Sequence, residues 1–554
     1  MRILLQIIVN LYMNLIIKYT SLICLFFITN NAISQVSSSN ISIVFNATNE
    51  LSKDSSVIYI RNNSNESISI DSLVFFKTYS SYAFSSNLSK AIINANDSVA
   101  VKIYFHPKHN ILHNSELLII TNPSAYSITI DVSGQGKYSK TYYNQTENKT
   151  EDALKAALKS TISAGYVSLG YNTARDKMFM EFDNQKTNGQ GASINTLECV
   201  YTGRKATGYT SRTDAQNNNS FNTEHTFPQG FFSSGEPMVS DLFHLFPTDA
   251  NANNSRGNYP FGVATTPYKN DATNFPSHLG SNNLYEPRDA HKGKVARAMM
   301  YFVLRYSDYA NHFAPQESIL RSWHTQFPPN SIEQKRNDDI STVQKNRNPF
   351  IDYPQFNERI TNIIGTSNTP ITPSIYFLDS IELNSVNDTT DSINIYIPII
   401  NNGNKNVKIA NGISTIDFVK MNFDSININI SESAYLPITI YTKDTSGIFD
   451  ATIQFYTNLS LVQSNFNLRF VINKTAVGIN SEKLNQIKVF PNPSSNFIYI
   501  QSNQKDNYQI YNSLGQLKQV GVISNGINKI NIENIEDGIF YFKTSHSTQK
   551  IIKQ

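Results

Sequence analysis

Cysteine is nearly absent: the 554 residues contain two, Cys24 and Cys199. Cys24 lies in the N-terminal apolar stretch, so a mature chain keeps one thiol and no intramolecular disulfide, and each folded part must hold by packing. Charge is scarce as well. Charged residues make up 16% and the net charge is +3, too small a surplus to argue for a polyanionic partner from overall charge. No H-E-x-x-H or comparable histidine cluster occurs, which weighs against a zinc hydrolase. Apolar residues at 40% nevertheless indicate folded modules rather than disorder, and the length suffices for three or four domains. The many Asn and Ile residues are put down to base composition and carry no functional reading.

Residues 1–34 start with Arg2 after the initiator Met1, are broken at Lys18, continue apolar from Leu22 to Ile28 and end Ala32-Ile33-Ser34 before Gln35. That pattern predicts a secretory signal cut after Ser34, with an uncleaved membrane anchor as the alternative. Met13 as the true start leaves a more ordinary leader. From 35 to 137, Ile68 with Ile70, Val101 with Ile103 and Phe105, and Ile128 with Ile130 alternate with polar residues between turn-rich clusters. Strands at this spacing predict an immunoglobulin-like sandwich, a spacer or adhesive module without a chemical constellation. A Thr-, Ser- and Pro-rich linker at 366–373 precedes a second such segment, 372–476, in which Ile393, Ile395, Ile397 and Ile399 alternate, as do Leu436, Ile438 and Ile440. R-N-N-S-N from Arg61 is echoed by N-N-G-N from Asn401, and L-I-I-T-N from Leu118 by I-Q-F-Y-T-N from Ile453. The two segments therefore read as diverged copies of one module.

Between them the period changes. Leu154, Leu158 and Ile162 recur every four residues ahead of Gly165, predicting a helix over 151–164. Val295, Met299, Phe302, Val303 and Tyr306 share a second helical face, with Arg297 and Arg305 off it. That placement predicts solvated arginines which, as a group with Lys292 and Lys294, touch a phosphate backbone. The Asn-rich stretches 213–220 and 251–258 read as loops by composition.

Chemistry concentrates in 222–258, which holds N-T-E-H-T-F-P, S-D-L-F-H-L-F-P-T and N-A-N-N-S-R-G-N. Hydrolysing a phosphodiester requires a base for the attacking water and a cation for the charge that builds on the phosphate oxygens and the leaving oxygen. Glu224 and Asn253 supply hard oxygen donors of the kind magnesium takes, and His225 an imidazole of suitable basicity. An imidazole bound to a metal has lost the lone pair a base needs, so Glu224 and Asn253 are assigned as metal ligands and His225 as the base.

The segments N-x-E-H-x-F-P, S-D-L-x-H-L-x-P-T, N-x-x-R-G-N-Y-P-F-G, H-K-G-K-V-A-R-A-M-M-Y-F from His291 and N-R-N-P-F-I-D-Y-P from Asn346 follow in this order. Their succession resembles the bacterial endonuclease I family from Tyr142 to Ile364. The resemblance implies an α+β core of the ββα-metal, or His-Me finger, class over 138–368, with Glu224 and Asn253 on one Mg2+ (or another divalent cation) and His225 activating water. It further implies a substrate of DNA, with RNA as a second, cut with little sequence preference to leave 5′-phosphates. By the same matching, Arg256 is a candidate to grip phosphate, with a fold-stabilising ion pair as the open alternative; Asp241 is expected to brace the finger and His244 to stand behind the active residues. One departure is visible, since many relatives have a second His where Phe243 stands. Secreted members are often cysteine-rich, whereas this region holds only Cys199.

Residues 485–554 contain V-F-P-N-P-S-S-N-F-I-Y-I from Val489, Y-Q-I-Y-N-S-L-G-Q-L from Tyr508, D-G-I-F-Y-F-K from Asp537 and a terminal K-I-I-K. They resemble the C-terminal sorting domain read by the type IX secretion machinery, which implies export, then release or surface attachment, with no membrane span in the mature chain. As pattern alone they predict a small β-sandwich. The expected whole is a multidomain chain: a His-Me finger nuclease core flanked by all-β immunoglobulin-like sandwiches and a small C-terminal β-sandwich. The alternative function is a surface adhesin or nucleic-acid-binding protein with an inactive nuclease-like domain; retention of Glu224, His225 and Asn253 together favours the enzyme.

Overall fold

The computed structural model describes residues 35–554 apart from 77–82, 266, 271–276, 307–308, 388–390, 444, 460–463, 474–486 and 546. The expected leader, with the alternative start at Met13, lies outside the described residues. The chain divides into two compact units after Asn473.

Nine strands open the first unit: β1 (Val36–Ser38), β2 (Ser42–Asn49), β3 (Asp54–Asn62), β4 (Ile68–Phe75), β5 (Phe84–Ser86), β6 (Ala91–Ile93), β7 (Ser98–Phe105), β8 (Leu112–Asn122) and β9 (Ile128–Lys137). They form two sheets, β1-β3-β7-β5 and β2-β9-β8-β4-β6. The sheets share one core, to which Ile58, Ile60, Val101, Ile103 and Phe105 contribute from one side and Ile68, Ile70, Leu117, Ile119 and Ile130 from the other. Strand side chains alternate between faces, so the period-2 residues picked out above are the inward set.

The central module has its own core, from Tyr138 to Ile363. Its elements are α1 (Glu151–Ser163), α2 (Tyr171–Lys177), β10 (Thr196–Glu198), β11 (Lys205–Thr207), α3 (Arg212–Asn219), β12 (Phe221–His225), β13 (Leu245–Asp249), α4 (Ala250–Arg256), β14 (Pro267–Asn270), β15 (His278–Gly280), β16 (Tyr285–Glu286), α5 (Asp289–Tyr306), α6 (Ala310–Phe313), α7 (Glu317–Gln326), α8 (Ser331–Gln344) and α9 (Pro349–Asp352). The expected first helix is α1, and Gly165 beyond it takes φ +67°, a conformation glycine adopts without strain.

Two readings fail in this module. The stretches 213–220 and 251–258 are largely helical rather than loops, because capping outweighs the weak helix propensity of Asn. Ser211 Oγ accepts from the Asp214 N–H at the start of α3, and Asp249 Oδ1 accepts from the Asn251 and Ala252 N–H groups at 2.8 and 3.3 Å at the start of α4. The second failure concerns α5, which has no solvated face for its arginines. It is packed by α1, α7 and α9; Arg297 and Arg305 are 2% and 7% exposed and are held by Glu333 and Asp241. They brace the core and are not available as a phosphate-tracking group.

The next eight strands are β17 (Ser380–Asn387), β18 (Ser392–Ile400), β19 (Val407–Ser414), β20 (Val419–Met421), β21 (Ser425–Ile428), β22 (Ser433–Tyr441), β23 (Gly447–Thr457) and β24 (Asn465–Asn473). Their sheets run β17-β24-β23-β19-β21 and β18-β22-β20, the order of β2 to β9 repeated strand for strand. The parallel pair β2 with β9 recurs as β17 with β24. The echoed turns are equivalent down to their bonds: buried Asn62 donates to the Glu66 carbonyl and accepts from the Ser64 N–H, as buried Asn401 does with Lys405 and Gly403. The repeat is therefore structural as well as sequential.

The second unit contains β25 (Lys488–Phe490), β26 (Phe497–Ser502), β27 (Asp506–Asn512), β28 (Leu517–Ile523), β29 (Gly526–Asn531), β30 (Gly538–Lys543) and β31 (Thr548–Lys553). Sheets β25-β26-β29 and β28-β27-β30-β31 enclose Ile498, Ile500, Ile510, Phe540 and Phe542. Among the described residues no helix is long and apolar enough to cross a membrane.

Candidate active site

β12 ends in Glu224 and His225 and pairs only with β13, so the two side chains leave it on opposite faces. Glu224 enters a polar enclosure and is 2% exposed. Its Oε1 accepts from the Tyr201 hydroxyl at 2.6 Å and lies 3.2 Å from Arg256 Nε, close enough for an ion pair but not aligned as a hydrogen bond. Burial pushes the carboxyl pKa up, against the pull of Arg256 and the Tyr201 hydroxyl. Oε2 receives no hydrogen bond among the described residues.

His225 turns instead to aromatic neighbours, its ring centroid 5.5 Å from those of Tyr171 and His244 and 6.3 Å from that of Phe232. Nε2 lies 3.1 Å from the Val239 carbonyl. A carbonyl only accepts, so Nε2 bears the proton and the lone pair stands on Nδ1. Burial, with His244 and the guanidiniums of Arg175 and Arg256 acting in the same sense, pushes the imidazole pKa down to about 3. The ring is neutral at neutral pH.

Asn253 arrives from α4, which follows β13 directly. Thr223 and Pro247 face each other in the ribbon as a non-hydrogen-bonded pair, with the Pro247 carbonyl turned outward to the Val200 N–H. The Thr223 carbonyl, likewise turned outward, accepts from Asn253 Nδ2 at 3.3 Å, which leaves the amide oxygen as the unused end of the group. Glu224 and His225 thus stand at the end of β12, and Asn253, 29 positions after Glu224, stands on the helix that follows β13 and is tied to β12 through the Thr223 carbonyl.

Of the two roles open to Arg256, the ion pair is the one formed. The side chain is 1% exposed, and Nη1 and Nη2 donate to the carbonyls of Gly257 and Thr226 at 2.5 and 2.7 Å. Asp241 is fully buried. Its Oδ2 accepts from the Tyr301 and Tyr306 hydroxyls at 2.9 and 2.8 Å and from Arg305 Nη1 at 2.5 Å, tying the segment before β13 to α5. Asp241→Ala leaves Arg305 as an unpaired buried cation and is expected to destabilise the central module by about 3–5 kcal/mol, seen as a lower urea midpoint. His244 packs beside the His225 ring, its Nε2 2.7 Å from the Met238 carbonyl.

Three neighbours escaped the sequence reading: Tyr201 on Glu224, and Tyr171 and Arg175 on the His225 side. Each reaches the site from a distant element, and no spacing relates them to it. The Val239 carbonyl is backbone and has no residue-type signal at all.

The family model described as Endonuclease I matches residues 150–355, and that described as Secretion system C-terminal sorting domain matches 488–554. An extracellular ribonuclease of Bacillus subtilis (strain 168) is 31% identical over 238 residues, 40% of this chain and 78% of that protein. An extracellular ribonuclease of Bacillus amyloliquefaciens is 31% identical over 243 residues, with the same coverages. An extracellular deoxyribonuclease of Aeromonas hydrophila is 29% identical over 116 residues, 21% of this chain and 50% of that one. The matched region contains the ribbon, its helix and all six site residues weighed above, so the chain belongs to the endonuclease I family, as a nuclease directed by its C-terminal sorting domain to secretion or the cell surface.

Proposed function

We propose that this nuclease is a metal-dependent endonuclease that hydrolyses phosphodiester bonds in DNA, and in RNA, with little sequence preference, leaving 5′-phosphates. The observation that carries the reading is a buried carboxylate with an unclaimed oxygen and a neutral imidazole with its lone pair on Nδ1 at the end of one strand, with an amide whose nitrogen is engaged by Thr223 on the helix after the ribbon. Glu224 and Asn253 would hold the cation. Their donors are hard oxygens, and among the described residues no cluster of three or more His, Cys, Asp or Glu offers an alternative; this suits Mg2+, which keeps much of its water and takes few protein ligands. When bound, the ion offsets the negative charge that builds on the phosphate oxygens and the leaving oxygen.

His225 Nδ1 takes the proton of the attacking water. The Val239 carbonyl, accepting from Nε2, holds the tautomer that keeps Nδ1 free and steadies the imidazolium as it forms. Contacts to phosphate carry no base information, in keeping with low sequence preference. The names of the relatives cover both ribonucleases and deoxyribonucleases, which supports a substrate range over both polymers.

Within this reading, β12, β13 and α4 are the ββα-metal finger of a nuclease domain at 138–368. The repeated two-sheet modules at 35–137 and 372–476 are immunoglobulin-like sandwiches, and 485–554 is the signal for the type IX machinery. Digestion of plasmid DNA and of a long RNA by the full chain tests the proposal. Cleavage is expected with Mg2+, to stop with excess chelator and to return when Mg2+ is restored. Cleavage that survives complete chelation would remove the metal; binding without any cleavage would favour the adhesin reading.

A further inference from the structure

Arg256 is engaged by Glu224 and two carbonyls, which leaves room for a second guanidinium on the substrate beside the cation. Arg175 on α2 has both the position and free donors. Its guanidinium carbon lies 4.0 Å from the centroid of the Tyr171 ring, and that ring is 5.5 Å from the His225 ring. Nη2 donates to the Asn172 side chain at 2.6 Å, while Nε is buried without an acceptor.

No carboxylate pairs with Arg175 among the described residues. Its neighbour Asp176 is taken by Arg212 at 2.6 Å. The contrast within the module is informative: Arg204, Arg256, Arg288, Arg297, Arg305 and Arg336 each have a carboxylate in ion-pair contact. A guanidinium with a buried N–H left unmade is unfavourable unless an anion arrives to satisfy it. Beside the base of a phosphodiester hydrolase, that anion is phosphate.

We propose that Arg175 binds a phosphate oxygen of the nucleic acid at or next to the scissile position, with the Tyr171 ring holding the guanidinium in plane. The inference rests on the nuclease reading above. A planar fork of N–H donors matches two phosphate oxygens at once, which an ammonium does not, so lysine should substitute only in part. The competing role is purely structural: the stack on Tyr171 would hold α2 against the ribbon and touch no substrate.

The test compares the full chain with Arg175→Gln and Arg175→Lys on a defined DNA duplex in Mg2+. Duplex binding is measured alongside over a range of salt, with each substitution placed in a His225→Ala background and Ca2+ in place of Mg2+ so that cutting is suppressed. Arg175→Gln is expected to lower kcat/KM by about 10- to 100-fold and to reduce the slope of log affinity against log salt by about one. Arg175→Lys should restore the salt slope and part of kcat/KM, with the melting temperature unchanged in both. A wild-type salt slope and kcat/KM in Arg175→Gln would overturn the inference while leaving the nuclease reading intact. So would a loss of activity matched by a fall in melting temperature with the salt slope preserved. A wild-type chain that cuts nothing would remove the nuclease reading, and the inference with it.

Discussion

Replacing His225 by Ala is expected to reduce cleavage of plasmid DNA by roughly 10²- to 10⁴-fold, the range over which a positioned general base contributes, while Mg2+ binding survives. The separation follows from the two faces of β12. His225 shares no partner with Glu224 or Asn253: its Nε2 is held by Val239, Glu224 by Tyr201 and Arg256, and Asn253 by the Thr223 carbonyl. Removing the ring opens a space between Tyr171, Phe232 and His244, so some stability is lost as well. His225→Gln fills more of that space and still lacks the basic nitrogen; it should be as inactive as the alanine variant while melting closer to the wild type. Calorimetric titration with Mg2+ alongside the rate measurement checks both halves. Unchanged cutting in either variant would remove the base assignment, and lost metal binding would move His225 into the ligand set.

The parts of this molecule that were legible from sequence are those governed by local periodicity or by unusual side-chain chemistry. Alternating isoleucines found the inward faces of β18 and β22 because a strand has only two faces. The turn after Arg61 and its echo at Asn401 betrayed the repeat because a buried Asn makes the same two bonds in both copies. Glu224, His225 and Asn253 stood out because few residue types serve phosphodiester hydrolysis. Composition misled where short capped helices were built from Asn, since Ser211 and Asp249 act through a single oxygen each. Helical periodicity misled at Arg297 and Arg305 because it reports one face of α5 and is silent on how many neighbours surround the helix. The partners Tyr201 and Arg175 depend on tertiary assembly alone.

Asn253→Ala is expected to raise the Mg2+ concentration for half-maximal activity by at least about 10- to 100-fold, the range seen when even the groups that orient metal ligands are removed. This is a cleaner probe of the cation site than any change at Glu224. Glu224 also neutralises Arg256, which is 1% exposed, so Glu224→Ala strands a buried guanidinium at a cost of about 3–5 kcal/mol, and lost activity there would not separate metal binding from folding. Asn253 forms one long bond, to a backbone carbonyl at 3.3 Å, and is only part-buried; its truncation should leave the melting temperature close to wild type. Asn253→Asp sharpens the distinction, since it adds the negative charge that a cation favours but replaces the donor to Thr223 with an acceptor. If the Asn253 oxygen binds metal, the aspartate variant should regain tighter Mg2+ dependence than the alanine variant, with a slower maximal rate because the carboxylate is no longer oriented by the strand. A Mg2+ titration unaltered in Asn253→Ala would take Asn253 out of the cation site.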